Sequence, residues 1–200
     1  MLISCDVSSL VVDALCEQAV QNNAAVACFY FESAAQKNQP PAAILGSVLK
    51  QIVGGLDEVP EGIVKAFRDR EKISGGGQKL ALAEIVEFLQ DISLSRCTFT
   101  CIDALDECPP GHRTVLLDLL NKILQKSQGA RIFLTGRPHI RSEVDKHFAG
   151  KAATRSITPN ENNIVTFLRA KLKKDTMPDA MDGSLGEEII QNILGTFSEM

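Results

Sequence analysis

Three carboxylates and one arginine carry the chemistry that this sequence could perform. Asp103, Asp106 and Glu107 follow directly after the short apolar and threonine-rich run TFTCI at 98–102. A run of this kind, without alternation of apolar and polar residues, is typical of a β-strand buried on both faces. Acids at the carboxyl end of such a strand lie where open α/β sheets bind their ligands. Three acids this close repel one another unless a cation or proton compensates, and Mg²⁺, held by one or two carboxylates plus substrate phosphates, fits that arrangement.

A structural interpretation of the same acids is equally open at this point. Asp106 and Glu107 precede a predicted helix that starts near Gly111. Acids in that position stabilise the positive end of a helix without any ligand. The residues alone leave the two interpretations near even.

Zinc is a third candidate, because Cys97, Cys101, Cys108 and His112 are close in the sequence. Two cysteines four residues apart on one strand are separated by roughly 13 Å, at about 3.3 Å per residue. Ligands that each lie about 2.3 Å from one metal ion cannot be spaced that way. We therefore expect no zinc site, and we expect all three histidines to be solvated.

Strand-like and helical segments alternate through most of the chain. The strand-like runs lie at 25–31, 98–102 and 131–135, with a shorter candidate, TRSI, at 154–157. The segments between them repeat apolar residues at the spacing of one helical face. Alternation of this kind predicts an α/β fold with a mostly parallel sheet and right-handed crossovers. After Pro159 the pattern is purely helical, so we expect an α/β domain over 1–158 and the start of an appended helical subdomain over 159–200.

The composition argues against nucleic acid and membranes as partners. The net charge is −4 and 44% of the residues are hydrophobic, as in an ordinary globular chain without a general attraction to nucleic acid or anionic lipid. No apolar run reaches the length of a membrane span, and the amino terminus lacks the basic flank of a signal peptide. Six cysteines without a secretory signal indicate reduced thiols. We predict no nucleic-acid partner, no membrane partner and a cytoplasmic location.

Two stretches together, CIDALDEC at 101–108 and RIFLTGRPHIRSEV at 131–144, resemble the NACHT-type nucleotide-binding domain of STAND-class P-loop NTPases. The resemblance is strongest to the fungal versions, also described as nephrocystin-type amino-terminal domains. It implies a partial P-loop NTPase three-layer sandwich, in which the strand ending at Asp103 is the Walker B element. Asp103 would hold Mg²⁺ through its water shell, and Asp106 and Glu107 would orient or deprotonate the attacking water. Arg137 would contact the γ-phosphate of ATP or GTP, a role that suits its planar fork.

One element of that family pattern is missing from this sequence. No GxxxxGK[ST] phosphate loop occurs, and the SGGGQ stretch at 74–78 lacks both a preceding strand and the Gly-Lys-Ser/Thr ending. Loop amides and the lysine are the core of nucleotide affinity. We therefore expect a fragment, or the product of a truncated gene model, that binds ATP or GTP weakly or not at all.

Two functions of different classes follow from these features. The resemblance implies a fragment of a signal-transduction NTPase that would bind and slowly hydrolyse ATP or GTP in intact form. The alternative is a non-catalytic interaction module with a degenerate nucleotide site, which would self-associate or bind other domains of a multidomain signalling protein. A phosphatase or nuclease is a minor third option, since no further cluster of acids or histidines could hold a second metal ion.

Overall fold

Three parallel strands form the sheet on which the candidate residues lie. In this computed structural model, residues 3–31, 39–74, 79–149, 151–157, 161–173 and 183–198 are described. The strands are β1 (Ala25–Tyr30), β2 (Thr98–Asp103) and β3 (Ala130–Leu134), in the order β1-β2-β3. Cys28, Cys101 and Phe133 are partners in the register, and Tyr30 is opposite Asp103. The predicted strands at these three places, and the predicted parallel sheet, are confirmed.

Eight helices are described along the same chain. They are α1 (Ile3–Asn22), α2 (Pro41–Gly54), α3 (Glu61–Ser74), α4 (Leu82–Ser95), α5 (Pro110–Lys126), α6 (Arg141–Phe148), α7 (Glu161–Lys173) and α8 (Gly183–Ser198). Two short 3₁₀ turns, Leu105–Glu107 and Pro138–Ile140, follow β2 and β3. Proline in the first turn starts α2 and α5, where its missing N–H has no helical partner in any case.

The main core lies between the sheet and the apolar faces of α2, α4 and α5. The buried residues recur at helical spacing, for example Ile44, Leu45, Val48, Leu49 and Ile52 in α2. Alternate strand residues, including Ala27 and Ile102, face this core and are 0% exposed. Burying a large aliphatic side chain contributes about 1.5–3 kcal/mol, so this layer holds the strand ends in place.

The predicted fourth strand at 154–157 is wrong. These residues form no strand and are exposed, with Ile157 63% exposed. A single apolar residue in a four-residue segment cannot bury a strand face, and local β propensity depends on that burial.

The chain forms two compact units, Met1–Ala153 and Thr154–Met200. The first contains the sheet. In the second, α7 and α8 pack together, with Ile164 and Ile190 buried and an ion pair of 3.1 Å between Arg169 Nη2 and Glu187 Oε1.

The architecture is therefore mixed α/β, mostly helical, with an open three-stranded parallel sheet followed by helices. This confirms the predicted fold class. Among the described helices, none is both long enough and apolar enough to cross a membrane.

Candidate functional site

Asp103 ends the central strand and is almost completely buried, with 4% of the residue exposed. Its carboxylate oxygen Oδ1 accepts a short hydrogen bond from the hydroxyl of Thr135, the residue that follows β3. The same hydroxyl accepts a hydrogen bond from the backbone N–H of Ala104 at 3.1 Å. Thr135 therefore connects the ends of β2 and β3 through the carboxylate itself.

Ala104 makes the sharp turn that brings the other two acids back toward β3. Its backbone is in the left-handed region, with φ 54° and ψ 45°. This conformation costs a non-glycine residue roughly 1–2 kcal/mol. Two hydrogen bonds to Thr135 offset the cost, one from Ala104 N–H to the hydroxyl and one of 2.9 Å from Leu105 N–H to the Thr135 carbonyl.

Asp106 and Glu107 lie in the 3₁₀ turn that follows, and both contact Arg137. The guanidinium Nε is 3.3 Å from Asp106 Oδ2, and Nη2 is 3.2 Å from Glu107 Oε1. The backbone N–H of Arg137 also donates to Asp106 Oδ1 at 3.1 Å. The side chains of Asp106 and Glu107 are 6% and 18% exposed, whereas that of Arg137 is 55% exposed. The cluster therefore presents its cation to solvent and keeps its carboxylates inside.

Gly136 allows this close approach. A Cβ at this position would lie 2.7 Å from Ile140 Cδ1 and 3.4 Å from Asp106 Oδ1. Any larger residue would require the δ-methyl group of Ile140 to move. Glycine at this position therefore leaves room for both Ile140 and the Asp106 carboxylate.

A buried arginine, Arg113, fixes the acid-bearing turn from behind. Its Nη1 donates to the carbonyls of Cys108 at 2.9 Å and Asp106 at 3.4 Å, and its Nε donates to Glu143 Oε2 at 2.8 Å. Glu143 is in α6, and its other oxygen accepts a hydrogen bond from Thr114 at 3.1 Å. Because α6 follows the Arg137 loop, the Arg113–Glu143 pair couples the two loops that form the site.

The structure brings together the four residues that the sequence singled out. Asp103 lies at the end of β2, and Asp106, Glu107 and Arg137 form one ion-paired cluster beside it. The helix-cap interpretation of Asp106 and Glu107 is wrong, because α5 has Pro109 at its N-cap and no acid in its first turn.

Two contributors were missed by the sequence reasoning. Thr135 could have been found from the sequence, because in a parallel sheet the residue that follows β3 lies opposite Asp103 at the end of β2. Arg113 could have been found as well, because it occupies the apolar face of α5 that also carries Leu116, Leu117 and Leu120. A charged residue on such a face requires buried partners.

The histidine prediction is wrong for two residues. His147 is not solvated: its side chain is 14% exposed, and its Nδ1 lies 2.9 Å from Asp118 Oδ1. His112 is half-buried, and its Nδ1 is shielded from water. Two thiols nearby are also shielded from water. Burial raises the pKa of Cys101 to about 12 and that of Cys108 to about 11. Neither thiol is therefore a ready nucleophile at neutral pH.

The described residues contain no group of three or more His, Cys, Asp or Glu side chains that could hold a metal ion by themselves. Asp103 and the hydroxyl of Thr135 present hard oxygen atoms, which suit Mg²⁺ or the water molecules bound to it when phosphates complete its coordination.

An open parallel sheet with polar groups at the carboxyl end of its central strand is the kind of α/β fold that binds ligands at that edge. The family model described as nephrocystin 3, N-terminal, matches residues 7–137. The match spans all three strands and all four candidate residues, and the chain belongs to this family. A search of curated proteins gives no match to the chain.

Proposed function

We propose that this chain is part of a NACHT-type, STAND-class P-loop NTPase that acts in cytoplasmic signal transduction and, in intact form, binds and slowly hydrolyses ATP or GTP. The observation that carries the proposal is the cluster of Arg137 with Asp106 and Glu107 beside the buried Asp103. A signalling NTPase needs a metal-binding acid, a water-positioning acid and a cation for the developing phosphate charge. The four residues supply a candidate for the metal-binding acid, two for the water-positioning acid and one for the cation.

In this proposal, Asp103 would hold Mg²⁺ through its water shell at the Walker B position, and the bound ion would supply positive charge next to the phosphate oxygens. Asp106 and Glu107 would orient the attacking water, and Arg137 would contact the γ-phosphate. Thr135 orients the Asp103 carboxylate by donating a hydrogen bond from its hydroxyl to Oδ1.

The exposure of the ion-paired side chains indicates which of them moves when a phosphate binds. Arg137 is half exposed, whereas Asp106 and Glu107 are largely shielded. The guanidinium is therefore the group that moves, exchanging carboxylate oxygens for phosphate oxygens. That exchange would leave Asp106 Oδ2 and Glu107 Oε1 able to accept hydrogen bonds from water. Nucleotide binding would thus convert an ion-paired resting cluster into the hydrolytic arrangement.

A thermal-shift assay with the chain as it stands tests this proposal. A ligand bound only to the folded state stabilises it by RT ln(1 + [L]/Kd), about 1.4 kcal/mol for a Kd of about 1 mM at about 10 mM ligand. For a chain of this size, that corresponds to roughly 3–6 °C. Because the sequence contains no GxxxxGK[ST] loop, we expect weak binding at most, with a shift no larger than this for Mg-ATP or Mg-GTP and none for Mg²⁺ alone.

Two arginine variants make the test specific. Arg137→Ala should abolish the nucleotide-dependent shift. Arg141→Ala removes a comparably exposed arginine, paired with Asp145 at 3.7 Å, and should leave the shift unchanged. The absence of a shift with either nucleotide in the unaltered chain, or an equal loss in both variants, would remove the NTPase assignment from this chain.

The outer edge of β3 favours a second candidate function, a non-catalytic interaction module. Thr98 N–H donates to Gly129, and Thr135 N–H donates to Ile102, so the odd-numbered residues of this segment face β2. The backbone groups of Ile132 and Leu134 therefore point away from β2, and within the described residues β3 pairs only with β2. An edge of this kind can pair with a strand of another chain.

Sedimentation over a wide concentration range distinguishes this candidate. Association that rises with concentration and persists in Asp103→Ala and Arg137→Ala favours an interaction module that self-associates or binds other domains of a signalling protein. A monomer at the highest concentration rules out self-association through β3.

A further inference from the structure

A groove of about 750 Å³ lies at the end of the sheet opposite the candidate site. It is bordered by the end of α1, the loop between α2 and α3, the start of α3 and the last turns of α4. Its apolar lining comes from Leu56, Ile63, Phe88 and Ile92. A six-residue strand at about 3.3 Å per residue separates the groove from the end of β2 by roughly 17 Å. The groove is therefore a separate surface of the same unit.

The charges around the groove are strongly unbalanced. Asp57, Glu58 and Asp91 line it and are exposed, and among the described residues none of the three forms an ion pair. The one guanidinium in the lining, Arg96, donates from Nε to the Asn23 carbonyl at 2.6 Å. Three carboxylates thus face one cation that is already engaged.

The helix ends add to this negative potential. The helices α1, α2 and α4 end at Asn22, Gly54 and Ser95, close to the groove, and none has a basic residue in its last turn. Each helix C-terminus carries the equivalent of about −0.5 charge, which lysine or arginine in the last turn commonly offsets. Here the last turns supply no such residue, and the one cation in the groove lining is Arg96, the C-cap residue of α4, whose Nε donates to the carbonyl of Asn23 just past α1.

We propose that this groove binds a basic polypeptide segment of a partner protein, in which lysine or arginine side chains flank one or two apolar side chains. The apolar lining takes the apolar side chains, and Asp57, Glu58 and Asp91 pair with the cations. The volume falls within the range of about 300–1,000 Å³ of sites that bury a small ligand, which suits a few residues of an extended segment. The same potential repels phosphate-bearing ligands, so nucleic acid and anionic lipid do not fit.

Fluorescence anisotropy with labelled peptides at about 0.15 M salt tests the proposal. The probe is the seven-residue peptide KKLKFKK, and the comparison peptides are KKGKGKK, which keeps the charge alone, and EELEFEE, which reverses it. We expect saturable binding of the probe, at least tenfold weaker binding of KKGKGKK and none of EELEFEE.

Matched variants locate the binding on the protein. The triple variant Asp57→Asn, Glu58→Gln, Asp91→Asn should weaken probe binding about tenfold, as three exposed ion pairs of about 0.5 kcal/mol each would predict. The triple variant Asp13→Asn, Asp69→Asn, Glu71→Gln removes the same charge from exposed positions of the same unit outside the groove lining. Its effect should stay below about twofold, because charges beyond about 8 Å are screened at this salt concentration.

A steric variant tests the groove without changing its charge. Gly62 lines the groove, and a Cβ there would make an ordinary contact of 3.6 Å with Phe88. Gly62→Leu should therefore fold, fill the groove and reduce binding at least tenfold. Gly195→Leu, in α8, has open space around its Cβ and serves as the control.

The possible results separate clearly. Equal weakening by both triple variants, equal binding of KKLKFKK and KKGKGKK, or no binding of the probe at about 1 mM would each overturn the proposal. Thermal melts of every variant confirm folding. Addition of Mg-ATP should leave probe binding unchanged, so this proposal and the nucleotide proposal can fail independently.

Discussion

Replacing Thr135 with valine isolates the hydroxyl that joins the ends of β2 and β3. Valine has nearly the same shape as threonine, so Thr135→Val removes two hydrogen bonds without creating a cavity. The first runs from the hydroxyl to Asp103 Oδ1, and the second runs from Ala104 N–H to the hydroxyl at 3.1 Å. The variant leaves a buried carboxylate and a left-handed turn with less support.

The size of the effect follows from those two contacts. A hydrogen bond to a charged group contributes about 1.5–3 kcal/mol, and a buried N–H left without its partner costs about 1–3 kcal/mol. Allowing for partial relaxation of the turn, we expect Thr135→Val to destabilise the chain by about 3 kcal/mol. In a chain of this length, that lowers Tm by roughly 6–12 °C.

Thr135→Ser is the control, because it keeps the hydroxyl and removes only a methyl group. Urea titration followed by circular dichroism compares both variants with the parent chain. We expect serine to retain most of the stability, with a loss of about 1 kcal/mol or less. If valine is as stable as serine, the hydroxyl does not support the turn, and the geometric account of the site is wrong.

Three further predictions concern the surroundings of the site. Arg113→Met keeps the aliphatic stem but removes the guanidinium that donates to the Cys108 carbonyl and to Glu143 Oε2. We therefore expect the free energy of unfolding to fall by about 3 kcal/mol in urea titrations. A decrease below about 1 kcal/mol would show that the loops are held by other contacts. Gly136→Ala places a Cβ 2.7 Å from the δ-methyl group of Ile140, which a small side-chain shift relieves, so we expect a cost of about 1 kcal/mol by the same measurement. An alanine variant as stable as the parent would refute the packing role of this glycine. Cys101 and Cys108, whose ordinary pKa is 9.0, have folded-state pKa values of about 12 and about 11. Between pH 9 and about 10 their thiols therefore ionise in the unfolded chain but remain mostly protonated in the folded one, and stability falls as pH rises, by up to about 1.4 kcal/mol per thiol at about pH 10. The corresponding double alanine variant should show a shallower decline in denaturant melts from pH 8 to 10.5, and an unchanged slope would contradict the burial argument.

Much of the architecture could be predicted from local pattern. The spacing of Ile44, Leu45, Val48 and Leu49 after Pro41 predicts helix α2. An apolar run that stops at Asp103 predicts strand β2. These signals are local because the period of buried residues reflects the geometry of one element. The prediction at 154–157 failed because β propensity in so short a segment has no meaning without a neighbouring strand.

The residues of the candidate site could be predicted from the sequence, but their contacts could not. Its acids stand in one short stretch, and Arg137 follows the next strand, so their chemical types and the order of the strands were open to reasoning. The bonds among them were not. Whether Arg137 would point to Asp106 and Glu107 or to solvent depends on the turn at Ala104, which no local signal predicts.

The sequence by itself determined the element types, the parallel sheet and the residues worth testing, because periodicity and strand-end chemistry are properties of neighbouring positions. Only the tertiary structure decided that Thr135 holds Asp103, that Arg113 reaches Glu143, and that three helices leave an acidic groove at the far end of the sheet. The two side-chain contacts join residues about 30 positions apart in the sequence. The groove is lined by residues from four separate segments of the chain. Such pairings depend on how the elements pack, and packing is a property of the whole fold.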